Sequence, residues 1–214
     1  GGWSGSGTDG TYNIQTEGQA TMVPFQGPVK LYREGNVLAV GVWNAGYDSS
    51  DMVATAELSD SNGFYYVRDS GAPGGWPAGT VFRWKVVHFD DGTGEEVPGW
   101  QQRGFDDSSW TEQTKAGFTI GHGSSADENG ETQLSDTHET VYTRSLFNAA
   151  EYNSIKWISL RMEADDTGIA WLNGQFIAYD GADDGTNGEI VPDFFYNTIS
   201  NGGSDVSHEM AATY

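Results

Sequence analysis

If this chain carries chemistry, its carboxylates and aromatic rings supply it. Asp165 and Asp166 stand together just before a strong hairpin signal, where two carboxylates and nearby loop carbonyls make the all-oxygen surroundings that a hard cation such as Ca2+ takes. The same pair serves equally well in a turn, because Asp side chains hydrogen-bond the backbone two residues on. Asp127, in the run Asp127-Glu128-Asn129-Gly130-Glu131, and Asp183 and Asp184, in the run Asp183-Asp184-Gly185-Thr186-Asn187-Gly188-Glu189, have calcium-loop composition. Both runs lack the alternating ligands and distal Glu of an EF-hand. Calcium is the one cofactor the sequence suggests.

The aromatic candidates are Trp76, Trp100, Tyr65 and Tyr66, which lie in or beside loop segments. Rings so placed can stack on the apolar face of a sugar, although core packing competes for each of them. Trp43, Trp84, Trp157 and Trp171 fall within strand patterns and are expected in the core. Catalytic patterns do not emerge: the chain has no Gly-x-Ser-x-Gly elbow, His-Glu-x-x-His or phosphate-binding loop, the motifs with which hydrolases and nucleotide enzymes announce themselves. His88, His122, His138 and His208 show no ligand spacing. Carboxylate pairs are abundant enough for a glycosidase, but none is singled out. The expectation is a protein that binds or assembles and is not an enzyme.

Composition narrows the partners. Ten Lys and Arg against 31 Asp and Glu give a formal charge of −21 over 214 residues. Such a chain repels phosphate backbones and anionic lipid surfaces, so nucleic acid and membrane are poor partners. The acidity also suits a soluble surface in a secreted or cell-surface setting. With no cysteine, disulfides, thiolate chemistry and zinc–thiolate sites are excluded together. No apolar run approaches the ~20 residues of a membrane-spanning helix. The start Gly1-Gly2-Trp3, without an initiator Met, suggests a processed or trimmed N-terminus.

These groups need a scaffold, and the pattern predicts strands. Thirty glycines and eight tryptophans suit many short strands joined by tight turns. Period-2 alternation marks strands at 29–32, 37–43, 52–58, 64–67, 80–87, 141–147 and 155–162, with weaker ones at 194–199 and 206–213. Residues 71–77 are a breaker-rich loop. Residues 90–139 form a long polar stretch, and loops of such length are usually functional or pinned down. Within it, Asp106-Asp107-Ser108-Ser109-Trp110 is expected to cap a short helical turn and bury Trp110; residues 148–154 also suit a turn of helix. Asn173-Gly174, between Gly168-Ile169-Ala170-Trp171-Leu172 and Gln175-Phe176-Ile177-Ala178-Tyr179, is a two-residue hairpin turn, since both positions readily take positive φ.

Three pieces together resemble the galactose-binding-like jelly rolls: Phe105-Asp106-Asp107-Ser108-Ser109-Trp110, Val141-Tyr142-Thr143-Arg144-Ser145-Leu146-Phe147, and Asp165-Asp166-Thr167-Gly168-Ile169-Ala170-Trp171-Leu172-Asn173-Gly174. The resemblance covers about half the chain. It implies an all-β, jelly-roll type β-sandwich and a carbohydrate-binding or accessory module of a secreted protein. Asn36-Val37-Leu38-Ala39-Val40 also resembles the family's closing strand, which there follows the hairpin and here precedes it. Residues 1–60 therefore form a closing-strand segment and residues 61–214 the main jelly-roll body. The order is explained by permutation within one chain, by donation to a neighbouring molecule, or by a tandem protein cut across two modules. Donation predicts a head-to-tail homopolymer, in which residues 29–58 pair with 141–147 or 155–162 of an adjacent subunit. Two functions follow, a self-assembling filament or surface-array subunit and a calcium-stabilised module that binds polysaccharide.

Overall fold

The computed structural model describes residues 9–17, 23–24, 28–43, 52–68, 79–87, 97–112, 118–122, 132–134, 140–149, 157–165 and 167–181. These residues are all-β, without a helix, and form two sheets. In chain order the strands are β1 Asp9–Glu17, β2 Val23–Pro24, β3 Pro28–Tyr32, β4 Asn36–Trp43, β5 Met52–Asp60, β6 Tyr65–Val67 and β7 Val81–Val87. The remainder are β8 Thr111–Glu112, β9 Thr119–His122, β10 Thr132–Gln133, β11 Thr140–Phe147, β12 Trp157–Asp165, β13 Thr167–Leu172 and β14 Gln175–Gly181. Sheet I runs β10-β9-β5-β12-β1-β3, with β6 on β5, and sheet II runs β2-β14-β13-β4-β11-β7-β8. Pairing is antiparallel except between β1 and β12 and between β9 and β10.

Alternation along the strands shows how the sheets face each other. Leu38, Val40 and Val42 of β4, Val141 and Phe147 of β11, and Ala170 and Leu172 of β13 share one buried cluster with Met52, Ala54, Ala56 and Leu58 of β5 and Ile158, Leu160 and Met162 of β12. One face of each sheet therefore contributes to a common core, the arrangement of a β-sandwich. The intervening Val37 and Ala39 of β4, Tyr142 of β11 and Ile169 and Trp171 of β13 belong to a second buried cluster on the other side of sheet II. A strand apolar on both faces, as β4 is, needs cover on both sides.

The pairing expected of residues 29–58 is present, and its partners lie in the same chain. β4 bonds to β11 on one edge and β13 on the other, while β5 bonds to β12 and β9. Strands from 1–60 and 61–214 are thus interleaved in both sheets.

Sheet II keeps Val87, Thr140, Trp43, Thr167 and Gly181 level across five strands. In sheet I, Asp165 pairs with Val53, and Met52 with His122. Because Asp165 and Thr167 are two residues apart, both rows lie at one end of the sandwich, where the chain crosses from sheet I to sheet II. Gly168 makes that crossing tight: a Cβ added there would lie 2.7 Å from the Cβ of Ala164 and 3.5 Å from Cε of Met162. The Ala164 carbon is fixed by the backbone and cannot rotate away. Gly168→Ala should therefore cost about 1–3 kcal/mol through overpacking, read as a lowered urea midpoint, and Ala164→Gly in the same chain should recover part of the loss. An unchanged midpoint in the single variant would show that the corner yields.

The long polar stretch 90–139 is less loop-like than its composition suggests. It contains β8, β9 and β10, with Phe118, Ile120 and Leu134 buried in the core. Four residues of β9 between polar flanks are too few for alternation to stand out. β1 is not expected from sequence either: its run of Gly, Thr, Asn and Gln acquires strand structure from pairing with β12 and β3. The expected strands at 194–199 and 206–213 lie outside the described residues, as does most of the expected turn at 148–154.

Candidate functional site

The best-defined constellation of charged and aromatic groups covers the outer side of sheet II. Residues 97–110 wind across it through a chain of tight turns: Trp100 N donates to Val97 O, Gln102 N to Gly99 O, Phe105 N to Gln102 O and Trp110 N to Asp107 O. Trp100 stacks flat on Tyr142, with 4.3 Å between centroids and 7° between planes. It also meets Trp171 edge-on, and Phe105 meets Trp110 in the same manner.

One buried ion pair fastens this cover. Arg144, on the outer side of β11, is wholly buried. Its Nε donates to Asp107 Oδ2 at 2.7 Å, and its Nη1 donates to the carbonyls of Trp100 and Gln102. Arg83 of β7 grips the other carboxylate oxygen, with 2.6 Å from Nη1 to Oδ1, and also pairs with Glu112. The bond to Asp107 is the main reason the Arg83 guanidinium is held above its ordinary pKa. A low-dielectric pair of this kind persists when its hydrogen bonds are well made. The Phe-Asp-Asp-Ser-Ser-Trp run thus forms turns where a helical turn is expected from sequence, and it does bury Trp110. Asp106 caps its own turn: the Ser108 hydroxyl and backbone N–H hold its carboxyl below the usual carboxylate range. That contribution is present above the ordinary carboxylate pKa and lost as pH falls through the lowered one.

The opposite end of the sandwich is closed by Asn173. It has φ 55° and Gly174 φ 83°, the paired positive values of the expected hairpin turn. Asn173 Oδ1 accepts from Val37 N at 2.8 Å, and its Nδ2 donates to Lys30 O and to Asn36 Oδ1. Asn36, which is buried, exchanges hydrogen bonds with both backbone groups of Tyr32. Arg103 reaches this end from the covering segment, donating to the carbonyls of Glu34 and Gly35 and lying 3.5 Å from the Tyr32 ring centre.

Against this geometry the expected sugar platforms separate. Trp100 is only 3% exposed and is closed to a ligand; its loop lies flat on a sheet. Tyr66 is buried in the core, 1% exposed, with its hydroxyl donating to the buried Asp60 carboxylate at 2.9 Å. The other Asp60 oxygen accepts from Asn62 N and Phe64 N, fixing the β5–β6 turn. Tyr65 is half-buried, with the Arg68 guanidinium 4.4 Å from its ring centre. Trp76 lies outside the described residues. Of the tryptophans expected in the core, Trp84 packs partly buried against it and Trp171 is buried on the outer side of sheet II; the side chains of Trp43 and Trp157 are outside the described set.

Asp165 ends β12 at the crossover, and Asp166, Asp127, Asp183 and Asp184 lie outside the described residues. The strand ends that flank them, at His122, Asp165 and Gly181, gather at one end of the sandwich. Among the described residues, no three Asp, Glu or His side chains come together to hold a metal, and no helix is long and apolar enough to cross a membrane. Neither a family model, nor a curated protein, nor a solved structure matches the chain.

Proposed function

We propose that this chain is a non-catalytic carbohydrate-binding module of an extracellular or surface protein. The observation that carries this reading is the contrast between the two outer faces. That of sheet II is sealed by residues 97–112, whereas that of sheet I presents half-buried polar side chains and the ring of Tyr65. The charged groups Asp107, Arg83 and Arg144 are engaged in holding the cover in place. The galactose-binding-like motifs agree with a binding role.

Self-assembly by strand donation is the competing proposal. Its motive is an unfinished sandwich, and β4 has hydrogen-bonded neighbours on both edges within its own chain. Binding therefore comes first.

The test pairs a glycan array with the native mass in solution. Binding to at least one polysaccharide by a monomer is the expected result; a particle of many subunits that survives dilution, with no glycan bound, would restore the assembly reading. Repeating the thermal melt with calcium and with a chelator tests the metal. A calcium-loaded module gains stability as RT ln(1 + [Ca2+]/Kd), so the chelated protein should melt lower, and coincident melts would remove calcium from the account.

A further inference from the structure

Along β5 and β12 the inward residues Leu58, Leu160, Ala56 and Met162 belong to the core. Period-2 geometry sends Ser59, Ser159, Glu57 and Arg161 to the other side. Register places these groups together: Ser59 is opposite Ser159, and Glu57 opposite Arg161. On the other edge of β5, Tyr65 is opposite Ser59, and the bulge there turns Tyr66 into the core. Tyr65, Ser59 and Ser159 thus form one row across three strands, two strand spacings or about 10 Å long.

The face is graded along its length. Val53 and Thr55 toward the crossover, and Ser159 on β12, are closed off, 1%, 6% and 8% exposed, while Glu57, Ser59, Arg161 and Tyr65 are each half-buried. The open part is therefore the Ser59–Tyr65 end. Arg68 lies against the Tyr65 ring, a cation–π contact that steadies the ring. A steadied ring beside the half-buried Ser59, with Glu57 and Arg161 further along the same face, matches the two demands of a sugar: an apolar C–H face to stack and hydroxyls to pair. A formal charge of −21 opposes acidic polymers.

Building on the carbohydrate reading, we infer that the Ser59–Tyr65 end of the outer face of sheet I binds a neutral polysaccharide, with one sugar ring stacked on Tyr65 and its neighbour lying along Ser59.

Affinity electrophoresis of the full chain through gels containing neutral glucan, mannan, galactan or xylan, with anionic alginate as a further gel, tests this. The wild type should be retarded by at least one neutral polymer. Tyr65→Ala should weaken that retardation at least tenfold and Tyr65→Phe should retain it, because the ring and not the hydroxyl makes the stack. Ser59→Arg, which fills the face and leaves Tyr65 in place, should also abolish retardation, and it serves if Tyr65→Ala fails to fold by circular dichroism. Wild-type binding that both Tyr65→Ala and Ser59→Arg preserve would overturn this site and leave the carbohydrate reading standing. Retardation by alginate alone would overturn the neutral ligand class. A wild type that no gel retards and no array glycan captures would overturn the carbohydrate reading itself.

Discussion

Asp107→Ala is expected to destabilise the protein by about 3–5 kcal/mol, the cost of leaving a buried charge without its partner. Arg144 is wholly buried, so water cannot replace the lost carboxylate. Its Nη2 already has no hydrogen-bond partner, while Nε depends on Asp107. Arg83, whose side chain is 23% exposed, can turn to solvent and to Glu112, so the penalty falls mainly on Arg144. The variant should melt roughly 6–20 °C below wild type, at the 2–4 °C per kcal/mol usual for chains of this size. Tryptophan fluorescence should shift to the red as the cover over Trp100 and Trp110 loosens. Combining Asp107→Ala with Arg144→Met should recover much of the loss, because an apolar side chain of similar length removes the stranded charge. A single variant within about 1 kcal/mol of wild type, or a double variant whose losses simply add, would show that the pair does not fasten the segment.

Asn173→Ala is expected to cost about 3 kcal/mol in two separable parts. At φ 55° an alanine pays about 1–2 kcal/mol for left-handed backbone. Loss of Oδ1 leaves the buried Val37 N–H unsatisfied, worth about 1–3 kcal/mol. Asn173→Gly incurs only the second part, since glycine accepts positive φ, and should fall between alanine and wild type in urea denaturation. Glycine as damaging as alanine would place the whole effect in the hydrogen bonds; glycine matching wild type would place it in the backbone. Either result would refute a cost shared between the two.

The hairpin is legible in the sequence because its cause is local: Asn-Gly favours the two positive-φ positions whatever surrounds it. The second role of Asn173, bridging Val37, Lys30 and Asn36, is not, since those groups lie more than 130 residues away in sequence. Trp100 shows the opposite case. Its place in a loop is legible, but loop membership does not reveal that the loop lies flat on a sheet and delivers the ring to Tyr142. Tyr65 and Tyr66 are adjacent and chemically alike. A bulge in the β5–β6 pairing separates them into a half-buried ring and a core ring, and nothing in their own sequence marks that bulge.

The sequence alone determined the all-β class, most of the strands and the two-faced apolarity of β4, because period and turn chemistry act between residues close along the chain. Tertiary structure decided that β4 has its partners in its own chain, that polar β1 is a strand, and that Arg144 and Asp107 bind the covering segment to sheet II. Each of these is a meeting of groups distant in sequence, settled by which surfaces bury each other.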